Sequence, residues 1–170
     1  MSILPILIYP DSHLRKVATP ITKITGEISD LANSMFETMY DAPGIGLAGP
    51  QVGIIQRIFV IDIGDPENKE TKKPLVFINP EIKEFSGEKK YEEGCLSLPG
   101  IREMVVRPSE IVVQALDIEG SEFTLKTDGL LATAIQHELD HLNGILFTDH
   151  LQGLKKKIAM KKLEKLVSGI

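Results

Sequence analysis

Two histidines four positions apart, with a glutamate following the first, offer the clearest chemistry in this chain: His137-Glu138-Leu139-Asp140-His141. The surrounding residues have helical periodicity, and four residues turn an α-helix by about 400°. Both imidazoles then share one face, a turn apart, and can reach a single metal ion at about 2.0–2.1 Å. Glu138 stands beside them, placed to take a proton from a water molecule. Leu131, Ile135, Leu139 and Leu142 form an apolar stripe on this helix suited to a core. Leu130, Thr133, Ala134, His137 and His141 share another face. Small and apolar residues therefore sit one turn behind the histidines, as a substrate pocket beside a metal requires.

Two histidines leave such a site short of a third protein ligand. One extension of the motif, H-E-x-x-H-x-x-G-x-x-H, fails here. Gly144 has the right spacing, but the final position is Phe147, which cannot ligate. A glutamate further downstream is another option; Glu164 is the only one, and it lies among lysines on a face that reads as solvated. The remaining donor is upstream. Cys95, the single cysteine, stands in Glu92-Glu93-Gly94-Cys95-Leu96-Ser97-Leu98-Pro99. A thiolate binds Zn(II) or Fe(II) strongly. A lone cysteine also serves as a small buried hydrophobe, but a two-histidine motif without a partner favours the ligand role. A third segment, Gly44-Ile45-Gly46-Leu47-Ala48-Gly49-Pro50-Gln51-Val52-Gly53, is rich in glycine. It lacks the Gly-Lys-Ser/Thr ending of a P-loop and follows a helix rather than a strand. It reads as backbone lying flat against a ligand, ending in an amide; Gln51 can donate a hydrogen bond to an oxyanion.

In this order, Gly44 to Gln51, Glu93 to Ser97 and Gln136 to His141 resemble the three signature motifs of the peptide deformylase family. Those are Gly-φ-Gly-φ-Ala-Ala-x-Gln, Glu-Gly-Cys-Leu-Ser and Gln-His-Glu-x-Asp-His. The resemblance covers nearly the whole chain, including Ile6-Leu7-Ile8-Tyr9-Pro10-Asp11 and the helical C-terminus. It implies hydrolysis of the formyl group from the N-terminal formyl-methionine of new polypeptides. Carried over, Cys95, His137 and His141 hold one divalent metal, Fe(II) in the native state, with Zn, Ni or Co able to replace it. The ligand set alone would point to zinc. Glu138 becomes the general base and then delivers its proton to the departing amine. The Gln51 side chain and the Leu96 backbone N–H stabilise the tetrahedral oxyanion. Gly44 and Gly46 fall at substrate-binding positions, Gly46 against the substrate backbone. Ile45, Leu130, Thr133 and Ala134 line the methionine pocket, and Arg102 approaches the substrate further along its chain. The implied fold is α+β: antiparallel β-sheets packed around the helix that bears the two histidines, with an N-terminal and a C-terminal helix. One position departs: Gly49 stands where the family motif has its second Ala. The missing methyl predicts looser backbone beside Gln51.

The supporting elements are legible from periodicity and breakers. Ile28, Leu31, Ala32, Met35, Phe36 and Met39 predict a helix over 27–40, ended by Pro43 and Gly44. Residues 57–63 and 74–79 read as strands, joined by a polar loop over 62–73. Two more strands, 110–118 and 121–127, flank Glu119-Gly120, a two-residue hairpin signal. The histidine-bearing helix spans 129–143, with Asp128 as its cap and Gly144 at its C-terminal left-handed position. A last helix, 154–167, sets Leu154, Ile158, Leu163 and Leu166 against lysines. Helices mixed with hairpin-linked strands, without β-α-β alternation, indicate α+β. Glu93 is expected to pair with Arg107 and brace the Cys95 segment. Asp140 is expected to cap or pair with a nearby group, and His13 and His150 to be ordinary surface or boundary histidines.

With 170 residues, 42% hydrophobic and 25% charged, the chain suits one domain over 1–170 with a core that needs no disulfides. One cysteine excludes an internal disulfide framework. Pro5 and Pro10 interrupt the apolar N-terminus and no basic residue precedes it, so it fails as a signal peptide and as a membrane span. A cytoplasmic protein is expected. The net charge of −5 argues against nucleic-acid binding as a function, sequence-specific binding included. That charge is uneven: residues 151–170 hold six Lys and one Glu, net +5, which leaves −10 on residues 1–150. The basic C-terminal helix either contacts the ribosome, as the resemblance suggests, or is a solvated face balancing an acidic body. Two rivals remain for the whole chain. A metallopeptidase cutting internal bonds would need an extended cleft and another third ligand. A non-catalytic, ribosome-associated metal module would need neither Glu138 nor Gln51.

Overall fold

The protein is described here from a computed structural model, over Ser2 to Gly169. Three helices form where periodicity predicts them: α1 (Gly26–Asp41), α2 (Gly129–Leu142) and α3 (Gly153–Ser168). Seven strands follow in chain order: β1 (Gly46–Ala48), β2 (Ile58–Ile61), β3 (Leu75–Ser86), β4 (Lys89–Cys95), β5 (Leu98–Arg107), β6 (Glu110–Leu116) and β7 (Glu122–Asp128). The fold is α+β. One antiparallel sheet has the order β1-β2-β3-β6-β7, and β4 and β5 form a separate antiparallel hairpin.

The first sheet is sandwiched. All four β2 residues are buried, because alternate side chains of a strand face opposite sides and both sides are covered. Ile58 and Val60 pack with Met35 and Met39 of α1, while Phe59 and Ile61 pack with Ala132, Ile135 and Leu142 of α2. A second cluster joins the hairpin to the C-terminus: Leu98, Ile101 and Val105 meet Phe147, Leu151, Ala159 and Leu163. α2 stops at Gly144, whose φ of +72° is left-handed and whose place for a Cβ lies 2.6 Å from the Arg15 carbonyl oxygen. Glycine alone satisfies both demands there. No helix among the described residues is long and apolar enough to cross a membrane.

Several expectations are corrected. Strands β1, β4 and β5 were not anticipated, and β3 continues past Asn79 to Ser86 through two register shifts. The turn after β6 is not a two-residue hairpin. Residues 117–121 form the connection, tied by Asp117 Oδ1, which accepts from the Glu119 and Ser121 amides. Asp128 occupies the cap position of α2 without a side-chain capping bond. In α3 the buried residues are Ala159 and Leu163, whereas Leu154 is 72% and Ile158 57% exposed. The helix rolls so that a small residue meets the hairpin, which periodicity alone does not choose.

Asp62 closes the end of β2 against α1. Its carboxylate accepts from the Tyr40 hydroxyl at 2.6 Å and from the Gly64 and Lys73 amides at 2.9 and 3.0 Å. Burial pushes its pKa up, but these donors outweigh it and hold it below the ordinary value. A depressed carboxylate stabilises the fold above its unfolded pKa of about 4, and that contribution fades as pH falls through the folded value. Asp62→Ala is expected to cost about 2 kcal/mol at neutral pH and to flatten the acid limb of a Tm-versus-pH curve. An unchanged acid limb would show that the three donors do not favour the ionised form.

Candidate active site

Cys95 ends β4, and Leu96 and Ser97 are the turn that carries the chain into β5. A register shift between Gly94 and Cys95 bends the strand there, the usual consequence of a bulge and a way to re-aim a side chain. The bent end meets α2. Cys95 Sγ lies 3.3 Å from His141 Nε2, and donor atoms of Cys95, His137 and His141 all lie within 4.8 Å of one another. One soft and two borderline donors in this spacing suit a divalent transition metal.

The histidines are prepared for that role. His137 Nδ1 is bonded to Glu93 Oε1 at 2.9 Å, which turns Nε2 toward the cluster. Burial opposes a charge on His137, yet neighbouring Glu138, Cys95 and Glu93 draw its pKa well above the usual range. Burial and the facing His137 hold His141 well below its own, which keeps a lone pair free.

Behind the histidines runs a chain of buried charge. Arg107 binds Glu93 through two bonds, Nε to Oε2 at 2.7 Å and Nη2 to Oε1 at 3.0 Å. Its Nη1 reaches Asp140 Oδ2 at 2.9 Å, and His150 Nε2 meets the same oxygen at 2.8 Å. Glu93 and Arg107 are each only 6% exposed. Burial raises the Glu93 pKa, but the bonds from His137 and Arg107 outweigh that and bring it down to about 2. The expected Glu93–Arg107 pair is present, and Asp140 pairs rather than caps. His150 is a surface histidine, as expected, and its bond to Asp140 makes it the outer end of this chain, a partner no local pattern could have revealed.

Glu138 faces a cavity of about 590 Å³. Its Oε1 is buried without a partner, and burial pushes its pKa up to about 7. Oε2 sits 2.5 Å from where a Cβ on Gly46 would stand, so any side chain at position 46 would displace the carboxylate. Gly44, Ile45, Gly46, Gln51, Leu96, Arg102, Leu130, Thr133 and Ala134 line the same cavity as Cys95, His137 and Glu138, whereas His141 is buried and does not line it. Gln51 is oriented by the backbone: Ala48 N donates to its Oε1 at 2.9 Å. That leaves Nε2 pointing at Ser97 Oγ, 3.1 Å away, and Cys95 Sγ, 3.5 Å away. Gly49 is not a loose point. The carbonyl oxygens of Ile54 and Gln56 lie 2.6 and 2.9 Å from its place for a Cβ, so close packing of backbone replaces the missing methyl.

The metal role of this cluster predicts a measurable debt to Glu93. Glu93→Ala is expected to weaken metal retention about 10–100-fold, read by competition with a chelator. Unchanged retention, with the fold intact, would separate Glu93 from the ligands.

Comparisons with known proteins show the family of the chain. The family model described as polypeptide deformylase matches residues 3–157. Peptide deformylase of Saccharophagus degradans is 52% identical over 97% of this chain and 94% of its own length. That of Cellvibrio japonicus is 53% identical over 97% and 96%. The crystal structure of a peptide deformylase from Legionella pneumophila superposes with a TM-score of 0.90 at 47% identity, covering 98% of this chain and 96% of that one. On sequence, fold and family model alike, the chain belongs to the peptide deformylase family.

Proposed function

We propose that the protein removes the formyl group from the N-terminal formyl-methionine of newly made polypeptides. Water adds across the amide: the C–N bond breaks, formate leaves, and the amine takes up the proton. The observation that carries this reading is the buried Glu138 carboxylate, whose Oε1 has no protein partner, lining one cavity with the Cys95–His137 edge of the ligand cluster and the Gln51 amide.

Each residue then has a task. Cys95, His137 and His141 hold a divalent cation, which supplies Lewis acidity toward water and the formyl carbonyl. Fe(II) is the native ion on this reading, and Zn, Ni or Co substitute for it. Both a thiolate and Fe(II) oxidise in air, so handling without oxygen preserves activity. Glu138 accepts the proton of the attacking water and passes it to the departing amine; its raised pKa suits both roles. Gln51 Nε2 and the Leu96 N–H donate to the oxygen as it gains charge. Ile45, Leu130, Thr133 and Ala134 bury the methionine side chain. Gly44 and Gly46 admit the substrate backbone, and Arg102, on the rim beside Glu92 at 2.8 Å, meets the chain beyond methionine. An endopeptidase of the longer histidine motif is disfavoured, because Phe147 is buried in the core at the position its third ligand would need.

The single domain is taken to work in the cytoplasm, on chains leaving the ribosome. The lysines of α3 supply a basic face for that encounter. Deleting the helix would remove the buried Ala159 and Leu163, so charge reversal is the better test. Lys157→Glu with Lys161→Glu and Lys162→Glu is expected to abolish co-sedimentation with ribosomes while Tm holds. Equal binding by parent and variant would reduce α3 to a solvated face.

Formate release from a formyl-Met dipeptide by Fe(II)-loaded protein tests the reaction itself. Glu138→Gln is expected to stop release with one metal retained per chain. Gln51→Ala is expected to lower kcat about 10²–10³-fold. No release by the parent, with metal bound, would overturn the deformylase reading.

A further inference from the structure

Residues 2–9 form a strap whose backbone amides at Ser2, Leu4, Leu7 and Tyr9 are spent on distant parts of the fold. Ser2 N and Leu4 N donate to Ser34 Oγ and Thr38 Oγ1 of α1, at 3.2 and 2.8 Å. Leu7 N then donates to the Gln51 carbonyl at 2.7 Å, and Tyr9 N to the Ser97 carbonyl at 2.9 Å. The last two acceptors are not arbitrary. Gln51 carries the side-chain donor aimed into the site, and Ser97 directly follows Leu96, whose N–H is the other donor. Gln51 and Ser97 belong to different elements: a 3-10 turn after β1 and the turn between β4 and β5. Besides the strap, Gln51 Nε2 to Ser97 Oγ is a direct bond between them, and that amide is the one the reaction would use.

We propose that the N-terminal strap positions the oxyanion donors: the Leu7 and Tyr9 amides staple the Gln51 turn to the Leu96–Ser97 turn and so set the spacing of the two donors. The physical need is plain. An oxyanion donor works only within about 2.7–3.1 Å of the developing charge, and its value lies in being held there beforehand. A side-chain amide that swings between Ser97 Oγ and a substrate needs its main chain fixed by something else. The strap supplies this from outside the cavity, since the carbonyls it uses are those of the two donor segments and not the donors themselves. Its side chains anchor it. Leu7 and Tyr9 pack against the cluster of Leu14, Leu98 and Phe147, and Cys95 packs there too. Leu7 and Tyr9 are thus positioning residues, acting through Gln51 and Ser97.

This inference rests on the oxyanion role of Gln51, and the experiment separates the two. Leu7 is replaced by its α-hydroxy acid, which exchanges the N–H for an ester oxygen and keeps the side chain. Leu7→Ala, which keeps the N–H, is the control. Formate release from a formyl-Met dipeptide by metal-loaded protein is measured in the parent and Gln51→Ala backgrounds. The ester is expected to lower kcat about ten-fold, a fraction of what losing a donor costs, with KM within two-fold and metal content unchanged. Leu7→Ala is expected to lower Tm and, by loosening the strap's apolar anchor while keeping the N–H, to lower kcat by less than the ester does. In the Gln51→Ala background the ester is expected to have no further effect, because the residue it positions is gone. Tyr9→Pro, which removes the other amide, is expected to lower kcat in both backgrounds, since Leu96 remains. An ester variant with the parent's kcat, or with the same loss in both backgrounds, would overturn the proposal. A Gln51→Ala variant as active as the parent would instead overturn the role of Gln51 itself.

Discussion

One guanidinium, almost out of water, holds the site together. Arg107 lies on β5, and its partners are Glu93 on β4 and Asp140 on α2. Burying a carboxylate costs several kcal/mol unless its charge is met by well-formed bonds. Arg107 meets both acids, with His137 as a further partner of Glu93 and His150 of Asp140. Hairpin and helix therefore dock in one relative position, the one that lets a rigid fork reach both acids. His137, bonded to Glu93, inherits this orientation, and the bend that brings Cys95 to His141 lies two residues beyond Glu93.

The same constraint shapes what surrounds the cluster. Burial disfavours a charge, and Glu138 shows the effect in its raised pKa. Burying Glu138 requires backbone to come close without side chains in between. Gly46 lies against Glu138, and Gly49 fits beneath two carbonyls. The glycine-rich segment thus comes close to its neighbours where a side chain would not fit, at Gly46 and Gly49. The sheet supports that segment from behind, because β1 pairs with β2 and β2 is covered on both faces.

The elements differ in how readable they were. α1 and α2 follow from the spacing of their own apolar residues, and their bounds agree with expectation to within a residue or two. β4 and β5 escaped notice because Lys89 to Arg107 mixes charges, glycines and a proline, and because its turn, Leu96-Ser97, lacks the glycine that usually marks a hairpin. The stripe of α3 misled for a different reason. Its leucines and isoleucine are spaced helically, but the surface that receives the helix admits Ala159 more closely than the larger side chains. Gly49 read as a weak point because an absent methyl is visible in a sequence and a carbonyl packed into its place is not.

Local order determined the chemistry on offer: the histidine spacing on one helical face, the adjacent glutamate, a thiol without a disulfide partner and an amide after glycines. Each belongs to a few consecutive residues, where covalent connectivity and helical geometry suffice. Even the Glu93–Arg107 pair was foreseeable, since opposite charges near a ligand segment tend to meet. Only tertiary structure decided that Cys95 Sγ lies 3.3 Å from His141 Nε2, that His150 meets Asp140 behind His137, and that the Leu7 and Tyr9 amides reach the two donor turns. Those contacts depend on strand register, a bulge and backbone amides. Every residue but proline carries the same amide, so the sequence does not say which partner each will find.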